Sequence, residues 1–108
     1  MNASSRKTEH LLQRYPAYRD LSVVYEGYTE SIPTHPPDVS AHGMFINISR
    51  PFPEGAVLKL SFRLTRSNYE VKARGEVRYC LAGVGIGIEF IEISSESQRA
   101  IEQELIGR

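Results

Sequence analysis

"VKARGEVRYCL", residues 71–81, sets Val71, Ala73, Gly75, Val77 and Tyr79 against Lys72, Arg74, Glu76 and Arg78. Alternation at period two is the signature of a β-strand with one buried and one solvated face. "GVGIGIEFIEI", residues 83–93, repeats the pattern with Val84, Ile86, Ile88 and Phe90 opposite Gly85, Gly87 and Glu89. These glycines do not make a dinucleotide fingerprint, because the third glycine of G-x-G-x-x-G is missing and strand, not helix, continues beyond. Glycines on one strand face instead permit a close neighbour, as in a tightly curved sheet.

Outward from this pair, "AVLKLSFRL" (56–64) alternates Lys59, Ser61 and Arg63 with Leu60, Phe62 and Leu64, and Leu58 is read as the one break in the period. "GMFINIS" (43–49) is a further apolar strand, and "RPFPEG" (50–55) supplies the turn after it. "DLSVVYEGY" (20–28) reads as a strand centred on Val23 to Tyr25. "TESIPTHPP" (29–37) holds three prolines and no helical period, so it reads as a stiff, extended connection. "SSESQRAIEQELIGR" (94–108) has serine caps, Gln98 three residues after Ser95 as in a capping box, and Ala100, Ile101 and Leu105 on one side. It predicts a short helix that stops near Gly107. At the other end, Ser4 or Ser5 caps a short helix through Leu11 and Leu12 towards Tyr15, and Pro16 disfavours its continuation. An arm, about five strands and a closing helix predict an all-β fold: a small antiparallel β-barrel, free of exposed edges, with the helix covering one end.

The chain of 108 residues has room for one domain, and its hydrophobic (41%) and charged (24%) fractions are globular. No apolar run approaches the ~20 residues that span a bilayer, and the first residues lack a signal-peptide core, so a soluble cytoplasmic protein without membrane insertion is expected. Cys80 is the single cysteine, in an apolar setting that suits a packed thiol. The net charge of zero argues against DNA or RNA binding. The charge is unevenly spread: residues 1–19 carry four basic side chains and one acidic, 4 − 1 = +3, and residues 20–108 carry nine and twelve, 9 − 12 = −3.

His10, His35 and His42 lack metal-ligand spacing with one another or with Cys80. The serines lack a nucleophile elbow, and no carboxylates converge, so neither an enzyme nor a cofactor is expected. Two features are left over: the polar turn "DVSAHG" (38–43) and the basic "RYPAYR" (14–19). Arginine offers a planar fork that matches phosphate oxygens and the O6/N7 edge of guanine. Asp38 can accept from guanine N1–H and N2–H₂, Ser40 can donate or accept, Gly43 lets backbone come close, and Tyr15 or Tyr18 can stack on a base. A bland reading stands beside this one: Asp38 makes an Asx turn with Ser40, Gly43 supplies a positive φ, and the arginines are merely solvated.

The turn matches the Asp/Asn-x-Ser-x-x-Gly pattern of the PilZ domain family at Asp38, Ser40 and Gly43, and "GVGIGIEFIEISSESQRAIEQEL" is similar to that family's closing strand and helix. The resemblance covers about residues 14–106. It implies a six-stranded, split barrel over 14–108 behind a flexible or helical arm (1–13), and a non-enzymatic receptor for cyclic di-GMP. Carried over, Arg14 and Arg19 clamp the phosphates and the guanine Hoogsteen edge, Asp38 and Ser40 meet guanine from the barrel, and Gly43 shapes the loop. The implied mechanism is a switch: ligand bridges a mobile arm and the barrel rim, and the altered surface regulates an unidentified protein effector, the receptor itself being a monomer or weak homodimer. The family's second motif is R-x-x-x-R, whereas "RYPAYR" places four residues between Arg14 and Arg19. That spacing motivates an alternative, a degenerate PilZ-type protein-interaction module that does not bind the nucleotide.

Overall fold

The computed structural model describes residues 16–32 and 39–106. Among the described residues six strands, β1 (Tyr18–Tyr25), β2 (Tyr28–Ile32), β3 (Gly43–Ile46), β4 (Val57–Leu64), β5 (Glu70–Leu81) and β6 (Gly85–Ile93), precede one helix, α1 (Ser95–Leu105). All pairings are antiparallel, in the order β2-β1-β4-β5-β6-β3. The sheet curls into a half-barrel. Among the described residues no pairing joins β2 to β3, so the cylinder is split between these two edges and not fully closed.

Alternation fixes the inner face. Leu58, Leu60, Phe62 and Leu64 of β4 and Val71, Ala73 and Val77 of β5 are buried, and with Ile86, Ile88 and Phe90 of β6 they form one core. Each of the larger side chains here, Val, Leu, Ile or Phe, contributes about 1.5–3 kcal/mol on burial. The residue out of step in β4 is Val57, which is exposed, and Leu58 lies on the buried face. Tyr79 departs from the expected inward set because the β5–β6 register shifts between Val77 and Tyr79, turning the ring out. Val84 leaves it too, as part of the turn between these strands.

The segment 20–28 is not one strand. Glu26 (φ 52°) and Gly27 (φ 78°) both adopt left-handed backbone, which makes a two-residue turn of the primed kind between β1 and β2. The first part of "TESIPTHPP" therefore pairs with β1, as in Val24 opposite Thr29, instead of running as a bare connection.

The glycines of β6 do admit close neighbours. A Cβ on Gly85 would lie 2.6 Å from the Phe45 ring, and one on Gly87 would lie 2.2 Å from the Tyr79 ring. Those rings stack with centroids 6.2 Å apart and roof the glycine track. Gly43 instead faces backbone: its Cβ would meet the Ile88 carbonyl oxygen at 2.2 Å, across the pair Gly43–Glu89. This is backbone and cannot swing aside.

Ser94 caps α1, accepting the Ser97 amide hydrogen at 3.0 Å, so the cap falls one residue before the serine of the expected capping box. Gln98 is therefore released from a capping role. Ile101 enters the core, with Ala100 and Leu105 packed at its margin.

Gly43→Ala is expected to destabilise the fold by about 1–3 kcal/mol, a fall of roughly 5–20 °C in Tm. Gly87→Ala only pushes aside an exposed ring and is expected to cost less than half as much. Thermal unfolding of the two variants side by side checks the order.

Candidate functional site

The turn at 40–43 is ordered by local hydrogen bonds. Val39 bridges to Met44, and the Ser40 amide donates to the Gly43 carbonyl at 2.8 Å. The Ser40 hydroxyl accepts the His42 amide hydrogen at 3.1 Å and donates to the Gly43 carbonyl at 3.4 Å. One lone pair of this exposed hydroxyl is left for a ligand donor. The turn is also anchored from behind: the His42 carbonyl accepts from the Phe90 amide at 2.8 Å, and the Ala41 carbonyl accepts from Gln98 Nε2 of α1 at 3.1 Å. Gly43 has no left-handed φ; glycine is required there by the approach of β6.

Arg19 lies within β1, not in an arm ahead of it. Its guanidinium donates to the carbonyls of Leu64 (3.5 Å) and Thr65 (3.3 Å) and to Asn68 Oδ1, and Nε sits 3.8 Å from Asp20 Oδ2. Asp20, with φ 57°, marks the β1–β4 register shift between Arg19 and Ser22. Asn68, with φ 63°, is a residue type that tolerates left-handed backbone, and its side chain thereby faces Arg19. Just before β1, the Pro16 carbonyl accepts the Thr65 hydroxyl at 2.7 Å and the Ala17 carbonyl accepts the Thr65 amide at 2.9 Å. The β4–β5 turn thus fixes both Arg19 and the point at which the preceding chain departs.

Register puts Arg19 and the 40–43 turn at the same end of the sheet. Arg19 pairs with Arg63, and Arg63 with Glu70 at the start of β5. Ala73 pairs with Ile93 at the end of β6, and β3 runs against β6 from Gly43, opposite Glu89. The residues before Gly43 therefore point to the end where β6 enters α1. That helix clasps both turns: Gln98 holds Ala41, Ser97 Oγ lies 3.3 Å from Tyr69 Oη, and buried Glu104 accepts the amides of Arg66 (2.7 Å) and Ser67 (3.2 Å). Arg66 returns the contact, donating to the Gln103 and Ile106 carbonyls at the helix C-terminus. Sequence reasoning missed this clasp, since nothing in "QELIGR" marks Glu104 as buried.

Tyr18 is not a stacking platform, because it is buried and packs at 55° on Phe62, with centroids 5.2 Å apart. Arg14, Tyr15, His10, His35 and Asp38 lie outside the described residues. Arg78, hydrogen-bonded through Nε to Glu89 at 2.6 Å, has its pKa pushed up by that contact, so Glu89 already has a cationic partner. Among the described residues no three His, Cys, Asp or Glu gather into a metal cluster, and no helix is long and apolar enough to cross a membrane.

A split antiparallel barrel with a motif turn and an arginine at the end covered by its terminal helix defines a small binding module. The PilZ domain model matches residues 6–107, nearly the whole chain, and the chain belongs to that family, whose members are binding modules associated with cyclic di-GMP. Comparison with curated proteins and with solved structures gave no match.

Glu104→Ala strips the acceptor from two amides and is expected to destabilise by roughly 2–6 kcal/mol, at about 1–3 per orphaned donor. Gln98→Ala, which frees one partly buried carbonyl, is expected to cost about 1 kcal/mol or less. Chemical denaturation of both variants checks the ratio; equal losses would mean that the Glu104 clasp is not the stronger tie.

Proposed function

We propose that the protein is a non-enzymatic receptor for cyclic di-GMP, gripped between Arg14 and Arg19 on one side and Asp38, Ser40 and Gly43 on the other. The observation that carries this reading is the family match, joined to the common location of Arg19 and the Ser40–Gly43 turn beneath one helix. Arginine forks suit phosphate oxygens and the guanine O6/N7 edge, and the remaining lone pair of Ser40 suits a guanine N–H. In this reading these residues bind and do not catalyse, and the output is a changed surface offered to a protein effector.

The hydrogen bonds of Arg19 go to neutral acceptors, the Leu64 and Thr65 carbonyls and Asn68 Oδ1, with the exposed Asp20 carboxylate 3.8 Å from Nε. A phosphate, bearing full charge, competes with these acceptors because charge-assisted hydrogen bonds are about twice as strong as neutral ones. Asn68 thus acts as a positioning residue, which keeps the fork at the sheet end and gives it up to ligand.

The second reading, a PilZ-type interaction module that does not bind the nucleotide, is favoured by the four-residue spacing between Arg14 and Arg19. The two readings differ in a titration. By calorimetry with cyclic di-GMP, the receptor binds at micromolar concentration or tighter, and Arg14→Ala, Arg19→Ala or Asp38→Ala each weaken it by about 1–3 kcal/mol, five- to hundredfold. No heat at high ligand excess, with a folded protein, selects the interaction module.

Asn68→Gly keeps the left-handed backbone and removes the Oδ1 acceptor. It is expected to tighten cyclic di-GMP binding several-fold, the release of roughly 1 kcal/mol of competing hydrogen bond. An unchanged or weakened affinity, measured by the same calorimetry, would show that Asn68 does not compete for Arg19.

A further inference from the structure

The outward face of the sheet carries a cleft of about 650 Å³ that none of the motif residues lines. It is built by two cross-strand rows. In one, Ser22 pairs with Ser61 and Ser61 with Lys72, and the position beyond the Ala73–Ile93 pair brings in Ser94. In the other, Val24 pairs with Lys59, Lys59 with Arg74, and Arg74 with Glu92. Small side chains in the first row leave the floor low, and the long stems of the lysines and Arg74 raise the walls.

Charge on this face is unbalanced at one place. Arg74 has Glu92 at 3.1 Å, Arg63 has Glu70 at 3.8 Å and Arg19 has Asp20 at 3.8 Å. Lys59 and Lys72 have no acidic partner among the described residues, and Lys59 stands directly opposite the cation Arg74. Like charges in direct cross-strand register repel. The hydroxyls of Ser22 and Ser61 likewise have no hydrogen-bond partner among the described residues. An anion seated over Ser61 would relieve the repulsion and engage both ammonium groups, which stand diagonally across β4 and β5 at about 7–8 Å between Cα positions.

We propose that this cleft binds a small organic anion: a phosphate-type headgroup held by Lys59 and Lys72, on a flat apolar body lying along Val24 and the lysine stems. The volume lies within the range of about 300–1,000 Å³ typical of ligand sites, where apolar lining is combined with few polar groups. The proposal does not rest on the cyclic di-GMP reading, since it uses none of Arg14, Arg19, Asp38, Ser40 and Gly43.

The test is amide chemical-shift mapping of the full chain with phenyl phosphate, and with inorganic phosphate as the headgroup alone. Saturable shifts confined to residues 22–24, 59–61, 72–74 and 92–94 are expected, with phenyl phosphate bound more tightly than inorganic phosphate by roughly tenfold. The double variant Lys59→Met, Lys72→Met keeps the stems and removes both charges, and is expected to weaken phenyl phosphate at least about tenfold at unchanged Tm. Ser61→Leu, which fills the place over which the headgroup sits, is expected to weaken both phenyl phosphate and inorganic phosphate. Shifts that do not saturate, shifts scattered over the surface, equal affinity for both probes, or wild-type affinity in the double variant would each overturn the proposal.

Discussion

The carboxylate of Glu104, buried in the last turn of α1, accepts the amide hydrogens of Arg66 and Ser67, and through it the helix and the β4–β5 turn fix each other's position. A buried carboxylate is costly unless its oxygens are occupied, so this contact tolerates few alternative placements of the helix. Once α1 is set, Gln98 reaches the Ala41 carbonyl and Ser97 meets Tyr69. The Ser40–Gly43 turn, at one edge of a split barrel, and the 65–68 turn, in its middle, are thereby held by a single rigid element. A barrel without closing hydrogen bonds between its edge strands needs such a brace to keep its open end in shape.

For function, the consequence is that Arg19 is presented from a strand and not from a loose segment. Its fork is pre-oriented by three acceptors of the β4–β5 turn, and the chain just before it is stapled to Thr65. In the proposed receptor, ligand exchanges these neutral acceptors for phosphate, so an event at Arg19 alters the same turn that Glu104 ties to the helix. The route from ligand to altered surface is then a short one, through residues 65–68 into α1.

Much of this was legible in the sequence because period two is hard to mistake. "VKARGEVRYCL" and the glycine-spaced strand after it gave the core hairpin, and the motif at Ser40 and Gly43 gave the family. What failed did so for local reasons. The β1–β2 hairpin was hidden because Glu26 is not a residue usually found in left-handed backbone, so "YEGY" did not announce a turn. Alternation alone places Tyr79 in the core, because a register shift cannot be read from it. Tyr18 suits base stacking by residue type, but its place beside Phe62 makes it part of the core. Glu104 and Asn68 carry no sequence signal, since their roles arise only from contacts 37 and 38 positions away for the first and from a left-handed φ for the second.

The central claim is that Arg19 and the Ser40–Gly43 turn, held in place by α1, form two sides of one nucleotide site. A crystal structure of the protein with cyclic di-GMP tests it most directly. The account predicts ligand in contact with both, with the Arg19 guanidinium transferred from Asn68 to a phosphate or to guanine. Density for the nucleotide elsewhere, with Arg19 still bonded to Asn68 and Thr65 and the turn untouched, would contradict it.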